Sequence, residues 1–300
     1  MFIKGNILKF AILIKPMKAK VKVAGLSVIS NTLLIILKVI AGVMSGSVSI
    51  ISEAIHSGMD LVAAVIAFFS VRKSDAPSDE RHPYGHGKVE NVSGVIEAFL
   101  IFIAAFLIIM EAVKKIMNPH DIESVGIGTA VMFFAAAVNW VVSRRLYKVA
   151  KETESVALEA DALHLKTDVY TSLGVGVGLL LIKFTGIYIL DPIVAIMVAL
   201  LILKESYNLM KRAFSPLLDA AWENNEYYHL VNVLKEMDVH FHDLKTRKAG
   251  QFRFVDFHIE MIGNKQLVEV HDFCDEIEDR LKSEFGNLEV TIHVEPLTQE

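Results

Sequence analysis

Asp161-Ala-Leu-His-Leu-Lys-Thr-Asp168 opens a long apolar segment that continues through Leu179, Leu180, Leu181 and Ile182. Its His164 and Asp168 repeat the spacing of His56-Ser-Gly-Met-Asp60, which lies inside an earlier apolar segment. A helix brings positions i and i+4 onto one face, so each pair presents an imidazole and a carboxylate side by side. Two such helices facing each other would set two nitrogens and two oxygens around one point, an arrangement that suits Zn²⁺ and that other first-row divalent ions accept. The competing reading is that the four groups only pair with one another and glue helices together. Ionisable groups in hydrocarbon cost roughly 2.5 to 3.5 kcal/mol each on insertion scales, so four of them in matched spacing favour a functional site.

The rest of the composition agrees with membrane depth. Of 300 residues 53% are hydrophobic, and the mean hydropathy is +0.44, too apolar for a soluble protein of ordinary usage. The net charge of -5 hides an asymmetry. Lys4, Lys9, Lys15, Lys18, Lys20 and Lys22 crowd the first 22 residues with no acid among them, whereas the region after Asp219 is acidic. Residues 1–22 read as a basic segment, with an amphipathic helix on anionic lipid as one form for it. Lysines interrupt its apolar stretches and no small-residue cleavage site follows, so it does not read as a cleaved signal peptide. The single Cys274 excludes an internal disulfide and a cysteine-based zinc knuckle, leaving metal chemistry to His and carboxylates.

Six apolar spans are expected between residues 23 and 212, each long enough for a hydrocarbon core of about 30 Å. They run over about Val23–Val43, Val48–Val71, Val92–Ile109, Ile127–Val142, Ala157–Phe184 and Ile187–Leu203. Lys38, Glu97, Asn139 and Asp191 lie inside them. Lys38 can snorkel to the interface or face the bundle interior, and both readings stand. Under six spans, Arg72, Lys73, Arg81, Lys88, Arg144, Arg145, Lys148, Lys151, Lys204, Lys211 and Arg212 fall on the face of the N-terminal lysines. The positive-inside rule then makes both termini cytoplasmic. Gly174 and Gly178 form a small-x-x-x-small pair, read as packing.

Pro216 marks a break, and residues 213–300 read as a separate domain. Its expected order is helix (Asn224–Met237), strand (Val239–Thr246), strand (Phe252–Met261), helix (Val268–Phe285) and strand (Leu288–Val294), an α-β-β-α-β sandwich. Ala249-Gly250 supplies a hairpin turn. His242, His258 and His293 with Glu295 sit on the strands, and His271 on the second helix could reach the same side. Together they suit a divalent metal, against the alternative of ordinary surface histidines. In the loop after the second span, Asp79-x-x-His82-x-x-x-His86 has metal-ligand types at short spacing; the alternative is a hydrogen-bonded loop near headgroups. Gly87-Lys88 lacks the surrounding pattern of a phosphate loop, and His-Glu-x-x-His occurs nowhere, which speaks against a metallohydrolase.

Three stretches carry a resemblance: Ser52-Glu-Ala-Ile-His-Ser-Gly-Met-Asp60, His82-Pro-Tyr-Gly-His-Gly-Lys-Val-Glu90 and Glu159-Ala-Asp-Ala-Leu-His-Leu-Lys-Thr-Asp168. With them the chain resembles the cation diffusion facilitators, divalent-metal exporters with six transmembrane helices and a C-terminal ferredoxin-like cytoplasmic domain. The likeness runs from about Ala24 to near the end. It implies a transport site of His56, Asp60, His164 and Asp168, a loop site of Asp79, His82 and His86, and a cytoplasmic metal cluster of His242, His258, His271, His293 and Glu295. It further implies a homodimer held by Lys88 pairing with Asp219. The His-Asp-His-Asp set resembles zinc-selective members, and Glu295 stands where some relatives carry Asp.

The expectation is therefore a Zn²⁺/H⁺ antiporter of a prokaryotic plasma membrane working by alternating access, with no enzymatic activity. Fe²⁺, Mn²⁺ or another divalent cation is the alternative cargo, and a non-transporting metal sensor the alternative role. Its partners are the lipid bilayer, metal ions, protons and a second copy, with no nucleic acid and no prosthetic group. Metal binds deprotonated carboxylates and neutral imidazoles, so loading displaces protons; an unperturbed imidazole titrates near about pH 6.5, which suits the exchange.

Overall fold

The computed structural model describes the backbone of residues 2–45, 48–117, 127–185 and 189–297. Side chains are described from residue 19 onward, except at 41–42, 44–56, 59, 115, 118–130, 132, 172, 175–184, 186–188, 190–191 and 298–300. Two compact units emerge, residues 1–214 and 215–300.

The first unit is six helices: α1 (Phe2–Ser45), α2 (Val48–Ser74), α3 (Lys88–Met117), α4 (Ile127–Thr153), α5 (Val156–Thr185) and α6 (Leu190–Phe214). No break separates the basic N-terminal residues from the first span, because α1 is continuous. α1 packs along α2, α4 along α5, and α3 along α6. Three segments are long and apolar enough to cross a membrane among the described residues: Ala19–Ile40, Lys88–Lys114 and Pro192–Leu218. The other three helices carry charged groups. α2 holds Glu53, Asp60, Arg72 and Lys73, α5 holds Glu159, Asp161, Lys166 and Asp168, and α4 ends in Arg144, Arg145, Lys148 and Lys151.

Small residues let these helices approach. Ala63, Ala64, Ala67, Ala98, Ala105, Ala157 and Ala160 are fully buried, and a Cβ on Gly174 would meet Val198 of α6 at 3.0 Å. Close helix contact in lipid depends on such positions. Between the packed alanines lies a buried charge network. Lys20 of α1 donates to Glu90 of α3 at 2.9 Å and to Asp75, just past α2, at 3.1 Å. Ser74 donates to the same Glu90 oxygen at 2.7 Å, and Ser155, ahead of α5, to the other. One lysine near the middle of α1 thus ties together the end of α2 and the starts of α3 and α5. Lys38 faces the interior, where it donates to Ser57 at 2.6 Å, which decides between the two readings of that residue.

The second unit begins with a 3₁₀ turn, Ser215–Leu218. It continues as α7 (Asn224–Glu236), β1 (Phe241–Ala249), β2 (Phe252–Met261), α8 (Leu267–Phe285) and β3 (Leu288–Pro296). β1 and β2 are antiparallel and joined by Gly250-Gln251, with Gly250 at φ 58°, a left-handed conformation that glycine adopts without strain. β3 returns parallel to β2 on its other side, giving the order β1-β2-β3. The alternation of β2 sends Val255, Phe257 and Ile259 into a core with Leu230, Leu234, Ile277 and Leu281. Phe252 and Phe254 have the opposite parity, so they do not extend that row; Phe254 instead packs under the Arg247 guanidinium, 4.0 Å from its ring centroid.

Candidate metal centre

Three clusters of potential ligands form among the described residues. In the first, Asp60 of α2 meets His164 and Asp168 of α5, with one ligand atom from each lying within 4.8 Å of the others. The His164 Nε2 is 3.0 Å from an Asp60 oxygen. Asp60 is 6% and His164 8% exposed, so the cluster sits where water is largely excluded. Packing of α2 against α5 makes the junction, and the i, i+4 relation on α5 aligns its two members. His56 lies on α2 one turn before Asp60, but its side chain is outside the described residues.

The surroundings of this cluster hold what the sequence did not make plain. Asn139 of α4 donates to Asp168 at 3.5 Å, so an apolar helix supplies the outer partner that orients a ligand. Asp161, one turn before His164 on the same face of α5, is wholly buried, as is Glu97 of α3. Ser93 donates to one Glu97 oxygen at 3.2 Å. An acid at i−3 from His164 was the available signal for Asp161; for Glu97 it was a lone carboxylate in the most apolar helix.

The second cluster is Asp79, His82 and His86, in the loop between α2 and α3. Asp79 folds the loop around itself, accepting from the His82 amide at 2.7 Å and the Arg81 amide at 3.0 Å. One of its oxygens lies 3.0 Å from the His82 Nδ1 and the other 3.2 Å from the His86 Nε2. Desolvation pushes the Asp79 carboxyl up, but the hydrogen bonds with His82 and the Arg81 amide outweigh it and hold it below its ordinary value. The hydrogen-bonded loop and the convergent ligand set are thus one arrangement.

The third cluster is built by strand register. His242 of β1 pairs with His258 of β2, and His258 pairs with His293 of β3, so three imidazoles form one row across the sheet. The alternation that buries Phe257 and Ile259 turns this row to the opposite face. Glu295, one step along the same face, bridges it: 3.1 Å to His258 and 3.3 Å to His242. His293 stands 3.6 Å from Glu295, its ring 4.7 Å from that of His258 and tilted 50° to it. His271 is not brought to this group within the chain. It is exposed on α8 and lies 3.7 Å from Asp275, its i+4 neighbour. Asp243, which sequence reasoning passed over, lies 3.8 Å from His258. A hydrogen bond from Lys245 holds its carboxyl below the ordinary value, against a smaller effect of desolvation and with help from the charges of Lys245, His258 and His242.

Lys88 is the first residue of α3. Asp219 follows the 3₁₀ turn at φ 53° and lies 3.9 Å from Arg247.

Comparison with known proteins places both units. Residues 25–218 match the model of the cation efflux transmembrane domain, and residues 224–297 that of the cation efflux protein cytoplasmic domain. The chain is 34% identical to an uncharacterised transporter of Synechocystis over 87% of its own length and 85% of the relative's. It is 31% identical to the cation-efflux pump FieF of Shewanella oneidensis over 93% and 95% respectively. Among solved structures, the metal-bound C-terminal domain of the CzcD transporter from Thermotoga maritima is 28% identical, covering 26% of this chain and 98% of that one with a TM-score of 0.24. The two domain matches and the near full-length relatives settle membership: the chain belongs to the cation diffusion facilitators and is a divalent-cation efflux transporter of the membrane, not an enzyme.

Proposed function

We propose that this chain exports Zn²⁺ in exchange for protons by alternating access, with His56, Asp60, His164 and Asp168 as the cargo site. The observation that carries the reading is the buried meeting of Asp60, His164 and Asp168 between α2 and α5. Two carboxylates and an imidazole within ligand distance, with a second imidazole one turn away on α2, match the donor number and type that Zn²⁺ prefers. Each ligand must shed its proton to bind metal, so proton uptake from one side releases cargo. Fe²⁺ and Mn²⁺ accept the same nitrogen and oxygen donors and are the competing cargoes.

All six helices of the first unit cross the membrane in this reading, α2, α4 and α5 each having the length to do so. Both termini are cytoplasmic in this reading, which the lysine and arginine distribution favours, and the bacterial relatives point to the inner membrane. The transporter works as a homodimer, with Lys88 and Asp219 as its interlock. His242, His258, His293 and Glu295 form a regulatory metal site on the sheet, and Asp79, His82 and His86 a loop site.

The deciding experiment is metal uptake into sealed proteoliposomes under an imposed pH gradient, with Zn²⁺, Fe²⁺, Mn²⁺ and Cd²⁺ offered separately. Zn²⁺ flux that follows the gradient and falls more than about 100-fold in Asp168→Ala is expected, because losing a ligand exceeds the roughly 10- to 100-fold cost of losing an outer partner. Flux indifferent to the gradient would remove the proton exchange. Flux of Fe²⁺ or Mn²⁺ in place of Zn²⁺ would reassign the cargo.

A further inference from the structure

A cavity of about 480 Å³ opens between the ends of α4 and α6 and the start of α5. Arg144, Lys148 and Lys151 of α4, Lys166 of α5 and Arg212 of α6 line it, against the carboxylates of Glu159 and Glu205. Glu159 is already shared by Arg212 at 3.2 Å and Lys151 at 3.5 Å. Arg144 and Lys166 have no carboxylate partner among the described residues; they lie over aromatic faces, 4.5 Å from the Trp140 centroid and 5.3 Å from that of Tyr170. Their N–H groups therefore remain available to an anion inside a cavity whose cations outnumber its acids.

This cavity is not a route for the cargo. A basic lining repels divalent cations, and Lys166, Val169 and Tyr170 lie on the side of α5 turned away from His164 and Asp168 at 3.6-residue periodicity. It continues instead into an apolar groove. A second cavity, of about 390 Å³, shares Tyr170 and Glu205 with the first and runs between α5 and α6 past Leu173, Val194, Val198 and Leu201. From Glu205 to Val194 the groove follows α6 for about 16 Å at ~1.5 Å per residue. Gly174 sits in its wall, where any side chain would press on Val198. A cationic chamber with aromatic walls, opening into a largely apolar groove along α5 and α6, has the two-part chemistry of a lipid.

We propose that this compound cavity binds an anionic phospholipid, its phosphate held by Arg144 and Lys166 and one acyl chain lying in the α5–α6 groove. Basic pockets between helices select such headgroups, and the aromatic rings place the chamber at the depth where tryptophan and tyrosine concentrate. The lipid would bear on the helix that carries His164 and Asp168 without touching the cargo.

The chain carries its own reporter, since Trp140 lines the chamber while Trp222, the other tryptophan, is buried in the core of the second unit. The test is quenching of tryptophan fluorescence in the full-length protein, reconstituted in phosphatidylcholine vesicles doped with acyl-brominated phosphatidylglycerol or with equally brominated phosphatidylcholine. Phosphatidylglycerol is expected to quench at several-fold lower mole fraction. That preference should fall about fivefold in Arg144→Gln and again in Lys166→Gln, the weight of one cation near an anionic headgroup. It should persist in Arg145→Gln, which removes an exposed charge that does not line the chamber. Quenching of each variant by brominated phosphatidylcholine is the internal reference for any change in the tryptophan itself. Equal quenching by the two lipids in the wild type overturns the proposal, as does an Arg145→Gln effect matching the others, which would mean a diffuse surface potential. Loss of the preference on adding soluble glycerol phosphate would mark a site for free phosphate anions and also overturn it.

Discussion

The two units treat charge in opposite ways. In the helical unit Lys20, Lys38, Asp60, Glu90, Glu97, Asp161 and His164 are all buried; in the C-terminal unit Thr246 alone is a buried polar residue among those described. The same ligand types accordingly sit in different settings. Asp60 and His164 lie below a tenth exposed, while His242, His258 and Glu295 retain between about a third and a half of their side-chain exposure. Buried ionisable groups are costly and persist where they bind or move something; exposed ones on a sheet cost little and can be lost without harm to the core. One cluster is therefore bound up with the packing of its helices, and the other is an addition to a domain that folds around Phe257, Ile259, Ile277 and Leu281.

Substitutions at matched depth would break or sharpen that contrast. The largest effect on stability is expected from Lys20→Met, which leaves the buried Glu90 without its cation and should cost about 3–5 kcal/mol. Thermal unfolding of the purified full-length protein measures it, and an unchanged midpoint would mean that water reaches the network. Asn139→Ala comes next: the outer partner of Asp168 is lost, and metal affinity or flux should drop about 10- to 100-fold with the fold intact. On the exposed side, His258→Ala should reduce the number of metal ions bound at equilibrium while shifting stability by no more than about 0.5 kcal/mol. A large stability loss there would show the row of imidazoles to be part of the domain's structure.

The smallest effect concerns Glu226. Desolvation raises its carboxyl, but hydrogen bonds and charge from Lys248 and Arg253 outweigh it and hold it below the ordinary 4.5. A depressed folded-state value contributes stability that is fully present above 4.5 and is lost as pH falls through the lower folded value. Glu226→Gln should thus destabilise the protein at pH 6, with the difference shrinking as pH falls below 4.5, read by thermal unfolding across that range. A mutant effect that persists in acid would show the contribution to be packing of the side chain.

How far each region could be read in advance follows from what encodes it. The pairing of His164 with Asp168 is written in a single helix, as a four-residue interval, and an apolar neighbourhood raises its significance. Asn139 and Asp60 reach the same place from other helices, and only Asp60 carried its own repeat of the interval. The row of His242, His258 and His293 depends on strand register, which intervals along the chain do not encode. Strand identity is legible from alternation, but its phase is not: of Phe252, Phe254, Phe257 and Ile259 on β2, only the last two face the core. His271 lay on a correctly placed helix, yet helix rotation sends it to solvent beside Asp275. The basic chamber of Arg144 and Lys166 was invisible because three helices contribute to it, none with a pattern of its own.

The sheet order also fixes a sequence of events in time. β1 and β2 meet through the two-residue turn at Gly250-Gln251, a pairing of the kind that forms in about 1–10 μs. β3 pairs with β2 only after α8 has crossed over, so on a ribosome adding roughly 5–20 residues each second one edge of β2 stays bare for whole seconds after the hairpin has closed. During that interval the strand that carries Phe257 and Ile259 is open to pairing with another nascent copy, and the last strand to emerge is the one that ends the hazard.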